Sequence, residues 1–208
     1  MKNNIYPKIL NMGSGKDFKA EALNIDIEPE TNPDVILDLN QPIPREGLAV
    51  ESRRFGEIQL TENYFDEIHS NDVLEHLTNL TTAMTTCLRL LKVGGEFKIN
   101  VPYDLSYGAW QDPTHVRAFN ERSWLYYTDW FWYLGWDQWR FDLISLTFIL
   151  NPIGEELKKT GLDGATISRT PRAIDSMQVN LSKRILTNSE VEFLHNIRTK
   201  SPATKIII

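Results

Sequence analysis

The chain has 208 residues and a formal net charge of -6, so it is long enough to bury a full core and short enough to be one domain, 1–208. With no basic run, that charge excludes a general attraction to nucleic acid or anionic lipid, and the single cysteine, Cys87, excludes both a disulfide framework and a cysteine-based zinc cluster. No run reaches the roughly 18 apolar residues of a membrane span, and the start, MKNNIYPKIL, lacks a signal-peptide core, so the sequence reads as a soluble, cytoplasmic protein with no membrane partner.

In chain order, the first hundred residues alternate short apolar runs with turn signals or helical pattern, the rhythm of an open α/β sheet. KIL, LNIDI, DVILDL, FDEIHS and GEFKINVP are the candidate strands. The links Lys16 to Leu23 and Glu28 to Asn32 are too brief for good helices. Leu80, Met84, Cys87, Leu88 and Leu91 recur at helical spacing, and Gly94 with Gly95 is expected to end that helix. All six tryptophans lie between Trp110 and Trp139, which marks 103–141 as an aromatic-rich insertion or lid. Beyond it, FDLISLTFIL and SMQVNLSKRI alternate as two closing strands around a short helix in GEELKKTGL. The tail NSEVEFLHNIRTKSPATKIII reads as one helix and then a frayed or docked end.

The Gly13-Ser14-Gly15 turn after the first strand lets backbone approach a ligand where a side chain would collide. Phe18 stands where a dinucleotide fingerprint wants its third glycine, and the Gly-Lys pair is not followed by Ser or Thr as in a P-loop. A nucleoside-like ligand without a diphosphate remains, and Asp26 at the end of the next strand suits its ribose hydroxyls. Glu28 is the second choice for that contact. Asp38 ends the next run, as a contact for an adenine amino group or as a cap for the NQPIP turn. In SNDVLEHL, Asn71, Asp72 and Val73 fall at the same sheet edge, while His76 is either a ligand contact or a plain histidine near the next helix.

LNMGSG, NIDI, DVILDLN, FDEIHSNDVLEHL and LLKVGGEFKINVPY, in this order and spacing, resemble the class I S-adenosylmethionine-dependent methyltransferases, especially the bacterial and phage group written Leu-Asn-Leu-Gly-Ser/Cys-Gly. The resemblance covers roughly Lys8 to Tyr103. It implies a Rossmann-like α/β fold: a seven-stranded, mostly parallel sheet with helices on both sides and an antiparallel last strand. It implies S-adenosyl-L-methionine as cofactor, with Gly13, Ser14 and Gly15 near its methionine portion, Asp26 on the ribose, Ile27 on the adenine face, Asp38 and Leu39 bordering the adenine ring, and Asn71 to Val73 near the sulfonium. Asn11 stands where many members carry an acid that positions the cofactor's amino-acid end. Gly13 and Asp26 are also closer together than in members with a full helix between them.

Methyl transfer to a hydroxyl needs a base. His115 of QDPTHVRAF, oriented by Asp112, is the candidate; the alternative is a turn in which Asp112 and Thr114 satisfy backbone groups around Pro113. The acceptor is expected to be a small molecule or glycan, O-methylated, with Tyr103, Trp110, Trp124 and Arg117 as its candidate contacts and no metal. Most of the aromatic segment is expected to be packing. The rival reading is a catalytically silent cofactor-binding or interaction module, with homodimerisation through the aromatic region.

Overall fold

The computed structural model describes residues 6–200. Its frame is a seven-stranded sheet of β1 (Ile9–Met12), β2 (Ala22–Asp26), β3 (Val35–Ile36), β6 (Phe65–Asn71), β7 (Leu91–Pro102), β8 (Trp139–Leu150) and β9 (Ile174–Ile185). Their order across the sheet is β3-β2-β1-β6-β7-β9-β8. The first five run parallel, and β9 is antiparallel to both of its neighbours. All seven expected strands are present, with the antiparallel closing pair where the sequence put it. A hairpin, β4 (Leu48–Ser52) and β5 (Gly56–Leu60), is an addition the sequence reading missed. Among the described residues the α-helices are α1 (Leu80–Leu90), α2 (Gly108–Gln111), α3 (Pro152–Lys159), α4 (Gly164–Ser168) and α5 (Asn188–Lys200). Among the described residues no helix is long and apolar enough to cross a membrane. The expected end of the chain after α5 lies outside the described residues.

The α1 helix starts on its cap, where the Asn79 side chain accepts from Thr82 N–H, and it stops at Leu90, before the glycines expected to end it. Gly94 and Gly95 instead lie inside β7, because Leu91 already pairs with Phe65. At Gly95 the partner strand passes so close that a Cβ would meet the Asp66 carbonyl at 2.8 Å.

Period-two alternation decides the layering. Leu10, Met12, Leu23, Ile25, Ile68, Phe97, Ile99, Val101, Met177, Val179 and Leu181 are in register and buried. They meet Met84, Cys87 and Leu88 of α1, Ile58 and Leu60 of the hairpin, and Trp124, Tyr127, Phe131 and Trp136 of the aromatic segment in one core. The alternate positions carry Asn11, Asn24, His69, Asn71, Lys98, Asn100, Gln178 and Asn180. The link between β1 and β2 covers Asn11 and Asn24, but over β6, β7 and β9 that second face is open to solvent, with Asn71, Lys98 and Gln178 exposed. This differs from the expectation of helices on both sides. The polar side chains explain it, because they offer a second helical layer nothing apolar to cover.

The link that replaces a first helix is held by amides. Asn11 Nδ2 donates to the Asp17 carbonyl (2.7 Å) and to Asn24 Oδ1 (3.0 Å), while Lys19 N–H donates to the same Oδ1 (2.9 Å). Asn24 Nδ2 donates back to the Lys19 carbonyl at 2.8 Å.

Candidate active site at the strand-order reversal

Strand order reverses between β1 and β6, and in open α/β sheets the crevice outside the carboxyl ends at such a point takes the ligand. Met12 pairs with Ile25 and with Ser70, so Gly13, Asp26 and Asn71 follow at one level along this edge. Gly13 and Gly15 both have positive φ, 54° and 43°, which lets the chain turn sharply off β1. A Cβ on Gly13 would come within 2.5 Å of Val73 Cγ2, so Val73 closes directly on the turn. Gly15, by contrast, faces open space, with only the Gly13 carbonyl within 4 Å of a Cβ placed there.

Asp26 locks the turn to its own strand end. Its Oδ2 accepts from Gly15 N–H (2.7 Å) and its Oδ1 from Glu28 N–H (2.9 Å), each oxygen keeping a lone pair for a further donor. Next to it Ile27 is 61% exposed, an apolar surface at the mouth of the crevice. Ser14 Oγ and Ser70 Oγ are buried on the two sides of the reversal without a partner among the described residues. An open glycine, a carboxylate with spare lone pairs, an exposed aliphatic face and orphaned hydroxyls fit the nucleoside and amino-acid parts of S-adenosylmethionine.

Other candidate residues have different tasks. Asn11 is buried in the amide pair and does not face the crevice. Asp38 takes the turn role: Oδ1 accepts from Asn40 N–H (2.9 Å) and Nδ2 (3.0 Å), and these bonds hold its carboxyl below the usual range. Leu39 beside it is buried in the core. Glu28 caps the short turn Pro29–Thr31. Asp72 sits in the left-handed region at φ 53°, held by its N–H on the Asn100 carbonyl (3.0 Å) and by Asn100 Nδ2 on its Oδ1 (3.1 Å).

The acceptor-side candidates divide sharply. Tyr103 is buried, its hydroxyl proton shared between Glu121 Oε2 (3.0 Å) and the Ser168 carbonyl (3.1 Å). Trp124 is 1% exposed and stacks on Phe119 with ring centroids 5.6 Å apart. Arg117 clamps the segment to the chain after β6, Nη2 donating to the Leu77 carbonyl at 2.6 Å and to that of Thr78 at 3.2 Å. Of the four, only Trp110, 65% exposed, is free to meet an acceptor.

The 103–141 segment also brings His115 back to the edge. Val116 N–H donates to the Glu75 carbonyl (2.9 Å), and the His115 and His76 rings meet edge to face at 4.6 Å. Asp112 does not orient His115. Asp112 Oδ1 accepts from Thr114 N–H (2.8 Å) and from the Thr114 hydroxyl (2.6 Å), the turn alternative, and these bonds lower its pKa. His115 Nδ1 instead donates to the Ala109 carbonyl (3.1 Å), which leaves Nε2 with its lone pair. The Thr114 hydroxyl proton goes to Asp112, so His76 Nδ1 is the donor in its 2.9 Å bond to Thr114 Oγ1, and its Nε2 is free as well.

Sequence reasoning missed Glu75. It lies in the turn Leu74–His76 straight after the edge, 1% exposed, and burial pushes its pKa up to about 7. Among the described residues neither carboxylate oxygen has a partner. The motif Leu-Glu-His-Leu reads as a helix start, and only the returning 103–141 segment buries the acid. On the polar face, a recess of about 500 Å³ lined by Asp17, Lys19, His69, Lys98 and Asn100 touches the edge through Ser70 and Asn71.

Residues 10–99, a little under half of the chain, match the family profile described as a methyltransferase domain. Among solved structures, an S-adenosylmethionine-dependent methyltransferase from Archaeoglobus fulgidus is similar at TM-score 0.52 and 16% identity, covering 86% of this chain and 87% of that one. The chain has the class I methyltransferase fold. A Haloferax volcanii complex of the Trm112 methyltransferase activator with a candidate methyltransferase shares this methyltransferase fold at TM-score 0.54 and 14% identity, with 88% of this chain and 86% of that one covered. So does the [4+2]-cyclase SpnF, at TM-score 0.51 and 14% identity over 87% of this chain and 76% of that one, so the fold by itself does not decide the reaction. No curated protein is matched. The methyltransferase-domain match over β1 to β7 supports S-adenosyl-L-methionine as the cofactor.

Proposed function

We propose that the chain is an S-adenosylmethionine-dependent methyltransferase acting on a small-molecule or glycan-related hydroxyl. The observation that carries the reading is the level alignment of Gly13, Asp26 and Asn71 at the strand-order reversal, with Gly15 N–H tied to Asp26 and Asp26 keeping lone pairs for two further donors. Bound there, S-adenosylmethionine supplies a methyl group already activated on sulfur, so the protein's main task is to hold the acceptor in line. Asp26 holds the ribose hydroxyls, Ile27 covers the adenine, and Gly15 leaves room for the amino-acid end. Asn71, Asp72 and Val73 border the acceptor's approach. The amines and amides of the adjoining recess suit a hydroxyl-rich acceptor, and Trp110 offers a flat apolar surface to a sugar face. His115 Nε2, its tautomer set by the Ala109 carbonyl, is the group available to take the acceptor's proton.

Calorimetry with S-adenosylmethionine and S-adenosylhomocysteine tests the reading. Wild type is expected to bind both, and Asp26→Ala to lose about 1–3 kcal/mol, the scale for a hydrogen-bonding group left unpaired. Asp26→Asn, which keeps the side-chain shape, controls for loosening of the turn. A folded wild type that binds neither ligand sinks the proposal.

A further inference from the structure

We propose that Glu75, His76 and His115 form a binding site for one divalent transition-metal ion at the acceptor side of the crevice. One ligand atom from each of the three lies within 4.8 Å of the others. Around a tetrahedral zinc ion at ordinary bond lengths the ligand atoms stand about 3.4 Å apart, so an inward adjustment of about an ångström by side-chain rotation closes the set. The unpartnered Glu75 carboxylate is the independent sign of a ligand. A buried acid whose two oxygens meet no donor is costly, and a cation supplies what the protein withholds.

The outer contacts are those of ligating histidines. His115 Nδ1 donates to the Ala109 carbonyl at 3.1 Å, and His76 Nδ1 donates at 2.9 Å to Thr114 Oγ1, whose own proton goes to Asp112 at 2.6 Å. Both rings are thereby fixed in the tautomer that presents Nε2, and a carboxylate stands behind one of them through a hydroxyl. Two imidazoles and one carboxylate select zinc, manganese, iron, cobalt or nickel over magnesium or calcium, which favour all-oxygen sets. Three protein ligands leave at least one position open, as at catalytic rather than structural ions.

The chemical role of the ion rests on the proposed methyl transfer. An acceptor hydroxyl in the open position has its pKa lowered by the metal and can give its proton to solvent, which changes His115 from base to ligand. The existence of the site does not rest on that reaction.

The test uses the full chain stripped with a chelator and titrated with zinc, manganese or cobalt in a calorimeter, with visible absorption recorded for cobalt. One ion per chain is expected, with a cobalt spectrum of low coordination number. Glu75→Gln and His115→Ala are each expected to weaken binding by roughly 100-fold or more. Glu75→Gln removes a buried charge, so its metal-free form should melt no lower than wild type; His115→Ala, at a half-buried position, is the second variant should the first fail to fold. A folded wild type that takes up no stoichiometric ion, or binding that both variants leave unchanged, overturns the site. S-adenosylhomocysteine titrated into the same samples separates the two proposals. Ion binding lost in the variants upholds the site even if the nucleoside does not bind, and nucleoside binding without ion binding overturns the site while leaving methyl transfer standing.

Discussion

Asn24 is buried at β2, and five hydrogen-bond contacts converge on its side chain, from Asn11 Nδ2 and Lys19 N–H and to the carbonyls of Lys19 and Ala22 and the carboxylate of Asp34. Asp34 is fixed in turn by Arg54, whose Nε donates to it at 2.6 Å. These contacts shape the short link that carries Gly13 and Gly15, so a residue remote from the ligand sets the geometry of the turn. Asn24→Ala leaves several buried groups unpaired and is expected to cost roughly 2–3 kcal/mol in urea unfolding, with cofactor binding weakened as the turn loosens. The turn and Asp26 were legible in the sequence because the motif is local. The Asn11–Asn24 pair was not, since two amides 13 positions apart reveal nothing of each other until the strands align. Glu75 was hidden for the same reason, because its burial depends on residues returning from 103–141.

The aromatic segment packs mostly inward, with Trp136 Nε1 donating to Thr85 Oγ1 of α1 at 3.0 Å. Composition alone separated packing from contact only in proportion, whereas the structure sorts individual residues. Trp124→Ala is expected to cost about 3–5 kcal/mol in chemical denaturation, the range for a large buried side chain. Trp110→Ala should leave stability nearly unchanged. The closing elements are joined by charge. Glu190 of α5 meets Arg184 of β9 at 2.6 Å and Arg140 of β8 at 2.7 Å, and the Arg184 bonds foremost lower its pKa to about 2. With the folded pKa below the unfolded value, this stabilisation is complete above about pH 4.5 and fades as pH falls towards 2. Melting temperature should therefore drop across that window in wild type, and less steeply in Glu190→Gln. The hairpin β4–β5 was missed because its alternation is weak: in β4 the apolar Ala49 is exposed and the polar Ser52 buried, and β5 offers only Ile58 and Leu60 as apolar residues.

At the scale of the molecule, the seven strands and the antiparallel closing pair follow the expected plan, while the second helical layer does not. The polar residues of β1, β6, β7 and β9 were visible in the sequence, but a resemblance built on glycines and acids carries no information about what covers a sheet. One face alone therefore carries the register information, since a one-residue slip would turn the apolar set outward. A systematic substitution scan of β7 and β9, read by a folding reporter, should give a striped map: Phe97, Ile99, Val179 and Leu181 intolerant, Lys98, Gln178 and Asn180 permissive. Uniform intolerance along both strands would refute it. The same stripe separates two kinds of evolutionary freedom in one strand, because every second position beside Asn71 can change its chemistry without asking anything of the core.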